Sequence, residues 1–448
     1  MIKLLKKFYK VIIILTDLLF INLAYLLAYL IKFNGQLPSF NFSPYVEAAP
    51  FITFSALILF DIYGMLKFYR KSLYDSFISI IFVVFLLGIV TTAITYFQQG
   101  FSFPRSVLLI APVIQFILLF LWYAFIFLLK KYTTITKNLM VIGINDNMDD
   151  ILDKVSATVA NADVAVKYVY SPNQMDKIIK RISNVDEVLI CPGLTDEQKM
   201  RISNMCLDAR KVVYVVPELF EISLVNTRLV HFEDLPAFMI DRLGLTVEQR
   251  FFKRIFDIIF SLIGIIVLSP LMLIASILVK CTSRGPVIYT QERVTYNNEI
   301  FSMFKFRTMF QDAEKETGPV ISGRGDPRVT KVGKFMRKFR IDELPQLFNV
   351  LVGNMSIVGP RSERPYFVEQ FEKDIPIYSK RNLVKAGITG YAQVLGNYDT
   401  SAWDKLRYDL IYIKNYSLLL DLKIIFQTIK VVLTGNVIYN KKFIKTKK

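Results

Sequence analysis

Ile255-Phe-Asp-Ile-Ile-Phe-Ser-Leu-Ile-Gly-Ile-Ile-Val-Leu-Ser269-Pro270-Leu-Met-Leu-Ile-Ala-Ser-Ile-Leu-Val279 is an apolar run long enough to cross a bilayer. Ser269-Pro270 interrupts its middle, and cations flank both ends: Lys253 and Arg254 before it, Lys280 and Arg284 after it. Charge therefore gives the run no direction. A crossing would put everything downstream on the far side of the membrane, whereas a bend at Ser269-Pro270 would return the chain to the side it came from. The reading adopted is a re-entrant helix hairpin over residues 254–280, with an ordinary fifth span as the competing reading.

Upstream, four apolar runs of membrane-spanning length precede residue 130: Val11 to Ile31, Ala49 to Leu66, Phe77 to Phe97 and Ser106 to Leu129. The first lacks a small-residue cleavage site and is expected to stay in the protein. Lys3, Lys6, Lys7 and Lys10, then Lys67, Arg70 and Lys71, then Lys130, Lys131 and Lys137 mark one side, against mainly Lys32 and Arg105 on the other. Both ends of this bundle are thus expected to face the cytoplasm. The whole chain agrees: 448 residues, 53% hydrophobic, mean hydropathy +0.40. Its net charge of +17 is concentrated at the ends of apolar runs, which fits anionic headgroups better than nucleic acid.

Between bundle and hairpin, Leu139–Gly143, Val164–Tyr170, Val185–Cys191 and Val212–Val216 read as short strands alternating with polar helices, a small Rossmann-like α/β domain. The turn Gly143-Ile-Asn-Asp-Asn147 carries one glycine where a dinucleotide fingerprint needs three, so a structural or regulatory role is favoured over nucleotide binding. The domains expected are 1–137, a transmembrane region; 138–217, the α/β domain; 218–250, a linker; and 251–448, a mostly helical domain that begins with the hairpin. Cys191, Cys206 and Cys281 are too scattered for a redox or zinc motif. The single histidine, His231, excludes a Ser-His-Asp triad or a multi-histidine metal site.

Downstream of the hairpin the chain reads Arg337-Lys-Phe-Arg-Ile-Asp342-Glu343-Leu-Pro-Gln346-Leu-Phe-Asn349. Ile341, Leu344, Leu347 and Phe348 have helical spacing, so the two acids sit on an ordered element. Lys305, Arg307, Arg337, Arg340, Arg361 and Arg364 surround them in sequence, and guanidinium groups suit phosphate oxygens. Carboxylates among such cations have two jobs open to them: nucleophile toward phosphorus, or ligand for Mg²⁺. A surface ion-pair network is the bland reading of any one of these arginines.

Phe306-Arg-Thr-Met309, Asp342-Glu-Leu-Pro-Gln346, Gly353-Asn-Met-Ser-Ile-Val-Gly-Pro-Arg361, Gly387-Ile-Thr-Gly-Tyr-Ala-Gln393 and Tyr408 to Leu422 together resemble the bacterial sugar transferase domain of monotopic phosphoglycosyl transferases. The resemblance covers about Phe252 to Tyr439, and the four-helix layout is similar to the long, polyisoprenyl-phosphate hexose-1-phosphate transferase branch used to initiate exopolysaccharide, capsule and O-antigen. It implies that Asp342 attacks a UDP-sugar, releasing UMP and forming an aspartyl phosphosugar that undecaprenyl phosphate then accepts. It further implies Mg²⁺ at Glu343, phosphate binding by Arg337 and Arg361, and a hairpin broken at Ser269 and Pro270. Glucose or galactose is the sugar favoured, with acetamido sugars as the alternative. The partners implied are a UDP-sugar, undecaprenyl phosphate and the bacterial cytoplasmic membrane, on whose inner face the catalytic domain would lie; a homodimer is left open. Ser362 and Ala386 replace the family's usual prolines and Tyr391 its tryptophan. An inactive membrane scaffold or regulator is the main competing function, and a dehydratase using NAD in the middle domain a more distant one.

Overall fold

The computed structural model describes residues 2–66, 73–98, 102–133, 136–144, 151–155, 164–282, 284–310, 326–396 and 400–434. Lys67, Arg70 and Lys71, residues 145–147 of the glycine turn, and Tyr439 lie outside these, as do the side chains of Lys3, Lys6, Lys7, Lys10, Lys130 and Lys131. The chain divides into two compact units, Met1–Val216 and Pro217–Lys448.

In the first unit the four expected spans are helices: α1 Ile2–Lys32, α2 Ser39–Ile62, α3 Leu73–Phe97 and α4 Arg105–Thr133. The second begins ten residues before the apolar run does, and Pro44 and Pro50 are carried inside it. α1 packs on α2 and α4, and α3 on both of those. Polar side chains lock them together: Tyr123 donates to Asp17 at 2.8 Å, and Asn22 to Thr53 at 3.0 Å. Such bonds hold because lipid offers these groups no partner.

The four expected strands also form: β1 Lys137–Ile142, β2 Val164–Tyr170, β3 Glu187–Ile190 and β4 Val212–Val215. They make one parallel sheet in the order β2-β1-β3-β4. Parallel strands need crossovers. α5 Met175–Arg181 and α6 Asp196–Asp208 provide two of these, the second fixed by a reciprocal Thr195–Gln198 cap.

The second unit opens in the stretch expected as a linker, which holds a short helix, Leu219–Ser223, and an antiparallel hairpin, β5 Arg228–Phe232 with β6 Leu235–Met239. The run expected to be two helices of a hairpin is helical from end to end, as α7 Val247–Thr282. Ser269 and Pro270 lie within it rather than in a loop. Pro270 cannot donate to the carbonyl four residues back, and Ser269 Oγ donates to that Ile266 carbonyl instead, at 2.8 Å. The hydroxyl thereby satisfies the group the proline abandons.

α7 is tied to the domain along both arms. Arg254 donates to the Val350 and Leu351 carbonyls at 2.7 and 2.8 Å, capping the end of α9 (Gln346–Val352). Asp257 accepts from the Ser356 hydroxyl and the Ile357 amide. Beyond Pro270, Ala275 and Val279 are buried with Phe306 and Met336. The antiparallel ribbon β7 Ile288–Val294 and β8 Ile300–Phe306, helix α8 Lys331–Lys338, α10 Pro365–Asp374, α11 Ala402–Lys414 and α12 Leu418–Thr434 complete the unit. Val350, Met355 and Val358 are fully buried in its core, each stabilising the fold by about 1.5–3 kcal/mol.

Glycines set the closest approach. β9 Ser356–Val358 and β10 Gly387–Thr389 run parallel, and a Cβ on Gly387 would lie 2.1 Å from the Gly359 nitrogen. No other residue permits that spacing. It fixes where Arg361, two residues on, begins.

Candidate active site

Asp342 and Glu343 occupy a single 3₁₀ turn, Ile341–Glu343, between α8 and α9, and both are only 8% exposed. Arg340 enters the turn at φ +52°, a left-handed conformation unusual for a residue with a side chain. Ile341 and Leu344 pack into the apolar cluster of Val279 and Met336, which turns the acids inward. α9 is stitched to the ribbon by Asn349: its Oδ1 accepts from the Phe304 amide at 2.9 Å and its amide donates to the Ser302 carbonyl at 2.8 Å. Lys305 is thereby brought to the dyad.

All three ion pairs of the dyad go to Glu343: Arg361 at 3.2 Å, Lys305 at 3.7 Å and Arg340 at 3.7 Å. Burial alone would raise the Glu343 carboxyl, but Arg361, Lys305 and Arg340 outweigh it and hold it at about 2. Asp342 moves the other way. Burial first, and then the Glu343 charge, push its carboxyl up, only partly opposed by Lys305 and Arg337. Burial lowers the Lys305 ammonium to about 8 against the pull of Glu343. Arg361 keeps 42% of its side chain exposed and so can reach a substrate while bound to Glu343.

Arg337 donates to Thr308 Oγ1 at 2.8 Å, and Gly333 lets α8 press onto Thr308, where a Cβ would come within 2.1 Å of the Thr308 oxygen. Phe306-Arg-Thr-Met309 and the dyad segment are therefore in direct contact. Of the eight residues expected, Asp342, Glu343, Lys305, Arg337, Arg340 and Arg361 converge. Arg307 is 8% exposed, its amide bonded to the Val287 carbonyl, and Arg364 lies at the start of α10 with its charge acting on Arg293. Residues given no site role from sequence complete the cleft: Arg293, Met303, Gln346, Ser362 and Gly387 line it with Lys305 and Arg361. Behind it, Arg381 donates to the Arg361 carbonyl at 3.0 Å and pairs with Asp409 at 2.8 Å. Gln346 and Gly387 lie inside motifs quoted from the sequence; Arg293 and Arg381 lie outside them.

The donor set suits Mg²⁺. Glu343 Oε2 is buried without a hydrogen-bond partner, and Asp342 adjoins it. Among the described residues no cluster of three or more metal-ligating side chains exists. One or two carboxylates are what a Mg²⁺ ion that keeps waters and substrate phosphates in its shell requires.

Residues 248–435 match the family described as bacterial sugar transferase. Similar proteins include the UDP-N-acetylgalactosamine-undecaprenyl-phosphate N-acetylgalactosaminephosphotransferase of Aeromonas hydrophila, 43% identical over 236 residues, 51% of this chain and 54% of that protein. The UDP-glucose:undecaprenyl-phosphate glucose-1-phosphate transferase of Klebsiella pneumoniae is 38% identical over 257 residues, 56% of this chain and 55% of that one. The alignment thus spans about half the length of these two relatives. The exopolysaccharide production protein PSS of Rhizobium leguminosarum is 37% identical over 185 residues, 40% of this chain but 92% of its own length. With dyad and cleft inside the matched segment, and the Rhizobium protein matched over 92% of its length, the chain belongs to the bacterial sugar transferase family.

Proposed function

We propose that the chain transfers a hexose-1-phosphate from a UDP-sugar to undecaprenyl phosphate at the cytoplasmic face of a bacterial inner membrane, the first membrane step of extracellular polysaccharide synthesis. The carrying observation is the split within the dyad: Glu343 is held ionised by three cations, whereas Asp342 beside it takes part in none of those ion pairs. In this reading an Asp342 carboxylate oxygen attacks the sugar-bearing phosphorus. The bond to the second phosphate breaks, and UMP leaves with the electron pair. An oxygen of undecaprenyl phosphate then attacks the aspartyl phosphosugar and returns Asp342 as carboxylate. Arg361, Lys305, Arg337 and Arg340 bind and orient phosphate oxygens. Glu343 would hold Mg²⁺, whose charge would neutralise the transferring phosphoryl group.

The relatives' names divide among N-acetylgalactosamine, glucose and galactose, so the donor panel must contain UDP-N-acetylgalactosamine beside UDP-glucose and UDP-galactose. Intact mass of the detergent-purified protein, after brief exposure to each donor with Mg²⁺ and no lipid, tests the reading. A sugar-phosphate adduct in wild type and none in Asp342→Asn is expected. No adduct from any donor, with no UMP released on adding undecaprenyl phosphate, would favour the inactive-scaffold reading.

The re-entrant reading of α7 belongs to the same proposal. Lys253 near its start and Val279 near its end are both buried by one compact unit. A straight helix would part them by about 39 Å, more than the roughly 30 Å hydrocarbon core. A bend at Ser269-Pro270 reconciles the two, with Ile266 and Val267, 64% and 67% exposed, nearest the lipid. Exposed Cys281 and a Glu248→Cys label should then react from the same side of the membrane. The middle domain is read as a Rossmann-like structural or regulatory unit rather than a nucleotide site.

A further inference from the structure

The cleft beside the dyad holds a guanidinium, Arg293, whose ion pair is long, to Glu363 at 3.9 Å, and whose hydrogen bonds all go elsewhere. Arg293 lies on β7, and the ribbon register places it on the same face as Gln291, Met303 and Lys305. Its side chain is only 14% exposed. Nε and Nη2 donate to Gln291 Oε1 at 3.0 and 2.6 Å, and Nη1 donates to the Ser362 carbonyl at 3.0 Å. All of those acceptors are uncharged. Among the described residues the nearest carboxylate, Glu363, is 3.9 Å away and is shared with Arg381 at 4.0 Å. Arg361, Lys305 and Arg340 pair with Glu343 within 4 Å, and Arg293 does not. A buried cation held rigidly by neutral partners is costly in the empty site and becomes favourable when an anion enters. Its planar fork suits phosphate.

We propose that Arg293 binds the nucleotide-side phosphate of the donor, the group that leaves as a nucleoside monophosphate, while Arg361 and Lys305 serve the phosphate attacked at the dyad. This rests on the two-step reading above. Arg293 stands further from Glu343 than Arg361 and Lys305 do, yet lines the same cleft. A two-phosphate donor with its sugar-bearing phosphorus at Asp342 directs its other phosphate into that cleft. When the bridging P–O bond breaks, the electron pair and the new negative charge go to the leaving phosphate. Arg293 is preset to receive them.

The role separates the two half-reactions, because the leaving nucleotide takes part only in the first. Arg293→Gln should raise both the donor KM and the UMP inhibition constant by about 10- to 100-fold. Single-turnover transfer from preformed phosphosugar-enzyme to undecaprenyl phosphate should keep its wild-type rate. Unchanged UMP inhibition would overturn the proposal, and so would equal losses in both half-reactions, which mark a structural role. Should Arg293→Gln fail to fold, Arg293→Lys carries the test: weaker UMP inhibition with unaltered second-step transfer is expected, and unaltered inhibition overturns it. If wild type forms no adduct with any UDP-sugar, the two-step reading fails on its own. Calorimetric UMP binding to wild type and variant then still decides whether Arg293 holds the phosphate.

Discussion

Two buried charge clusters in the second unit use similar residues to opposite ends. In the first, Lys253 on α7 donates to Asp421 at 2.6 Å and to Tyr412 at 3.2 Å, Tyr412 donates to Asp421 at 2.8 Å, and Asp257 takes Ser356 and the Ile357 amide. None of these side chains leaves a buried polar atom without a hydrogen-bond partner. In the second, around Asp342 and Glu343, cations crowd one acid, Glu343 Oε2 is unsatisfied, and Arg340 sits in a left-handed conformation. The closed cluster is a clasp between the membrane helix and the C-terminal helices. The open one leaves charge and lone pairs unmatched, which is what the proposed phosphate site requires.

The sharpest way to break the comparison is to swap costs between the clusters. Asp342→Asn should lower transfer by at least about 10³-fold while leaving the melting temperature equal or higher, since it relieves repulsion with Glu343; adduct mass and a thermal melt read the two effects. Lys253→Met should do the reverse. Stranding Asp421 should cost about 3–5 kcal/mol of stability, with adduct formation per folded molecule unchanged. Lys253→Met combined with Asp421→Leu should recover most of that loss in denaturant unfolding. Recovery of less than half would mean the clasp is more than a paired charge.

Acid sharpens the contrast further. Glu343 is depressed in the fold from 4.5 to about 2, so the stability it contributes is present above pH 4.5 and is lost as pH falls toward 2. The loss should be roughly 3 kcal/mol. Glu343→Gln should flatten stability over that window and weaken the dependence of rate on Mg²⁺; an unchanged metal titration would remove Glu343 as a ligand. The smallest effect is alkaline. With Lys305 lowered to about 8, donor binding should weaken above that pH by up to about tenfold per unit. Lys305→Arg should move the limb upward, and a limb that stays in place would assign it to another group.

Legibility followed the range of the interactions. Apolar runs and strand alternation announced α1 to α4 and β1 to β4, because burial in lipid or in a sheet leaves a periodic mark on consecutive residues. The dyad and Arg337, Arg340 and Arg361 were legible for a related reason: acids and guanidinium groups dense in one segment have few purposes. Arg293, Arg381 and Lys253 were not. Each meets its partners across tens of residues: Arg293 meets Ser362, Arg381 meets Arg361, and Lys253 meets Asp421, separations that no local pattern encodes. The sequence marks Ser269-Pro270 as a break, whereas the helix α7 is assigned through both residues. The Ser269 hydroxyl takes the Ile266 carbonyl that Pro270 cannot reach, a bond between side chain and backbone that residue types alone do not announce.

By itself the sequence determined that this is a membrane protein with a parallel α/β domain and an acid pair among arginines. Composition and periodicity are properties of the chain. Only the tertiary structure decided which acid is clamped by cations and which is not. That choice depends on Asn349 drawing Lys305 to the dyad, on Gly359 and Gly387 fixing the start of Arg361, and on the αL turn at Arg340. Distance and burial, absent from a string of letters, set the charge each carboxyl carries.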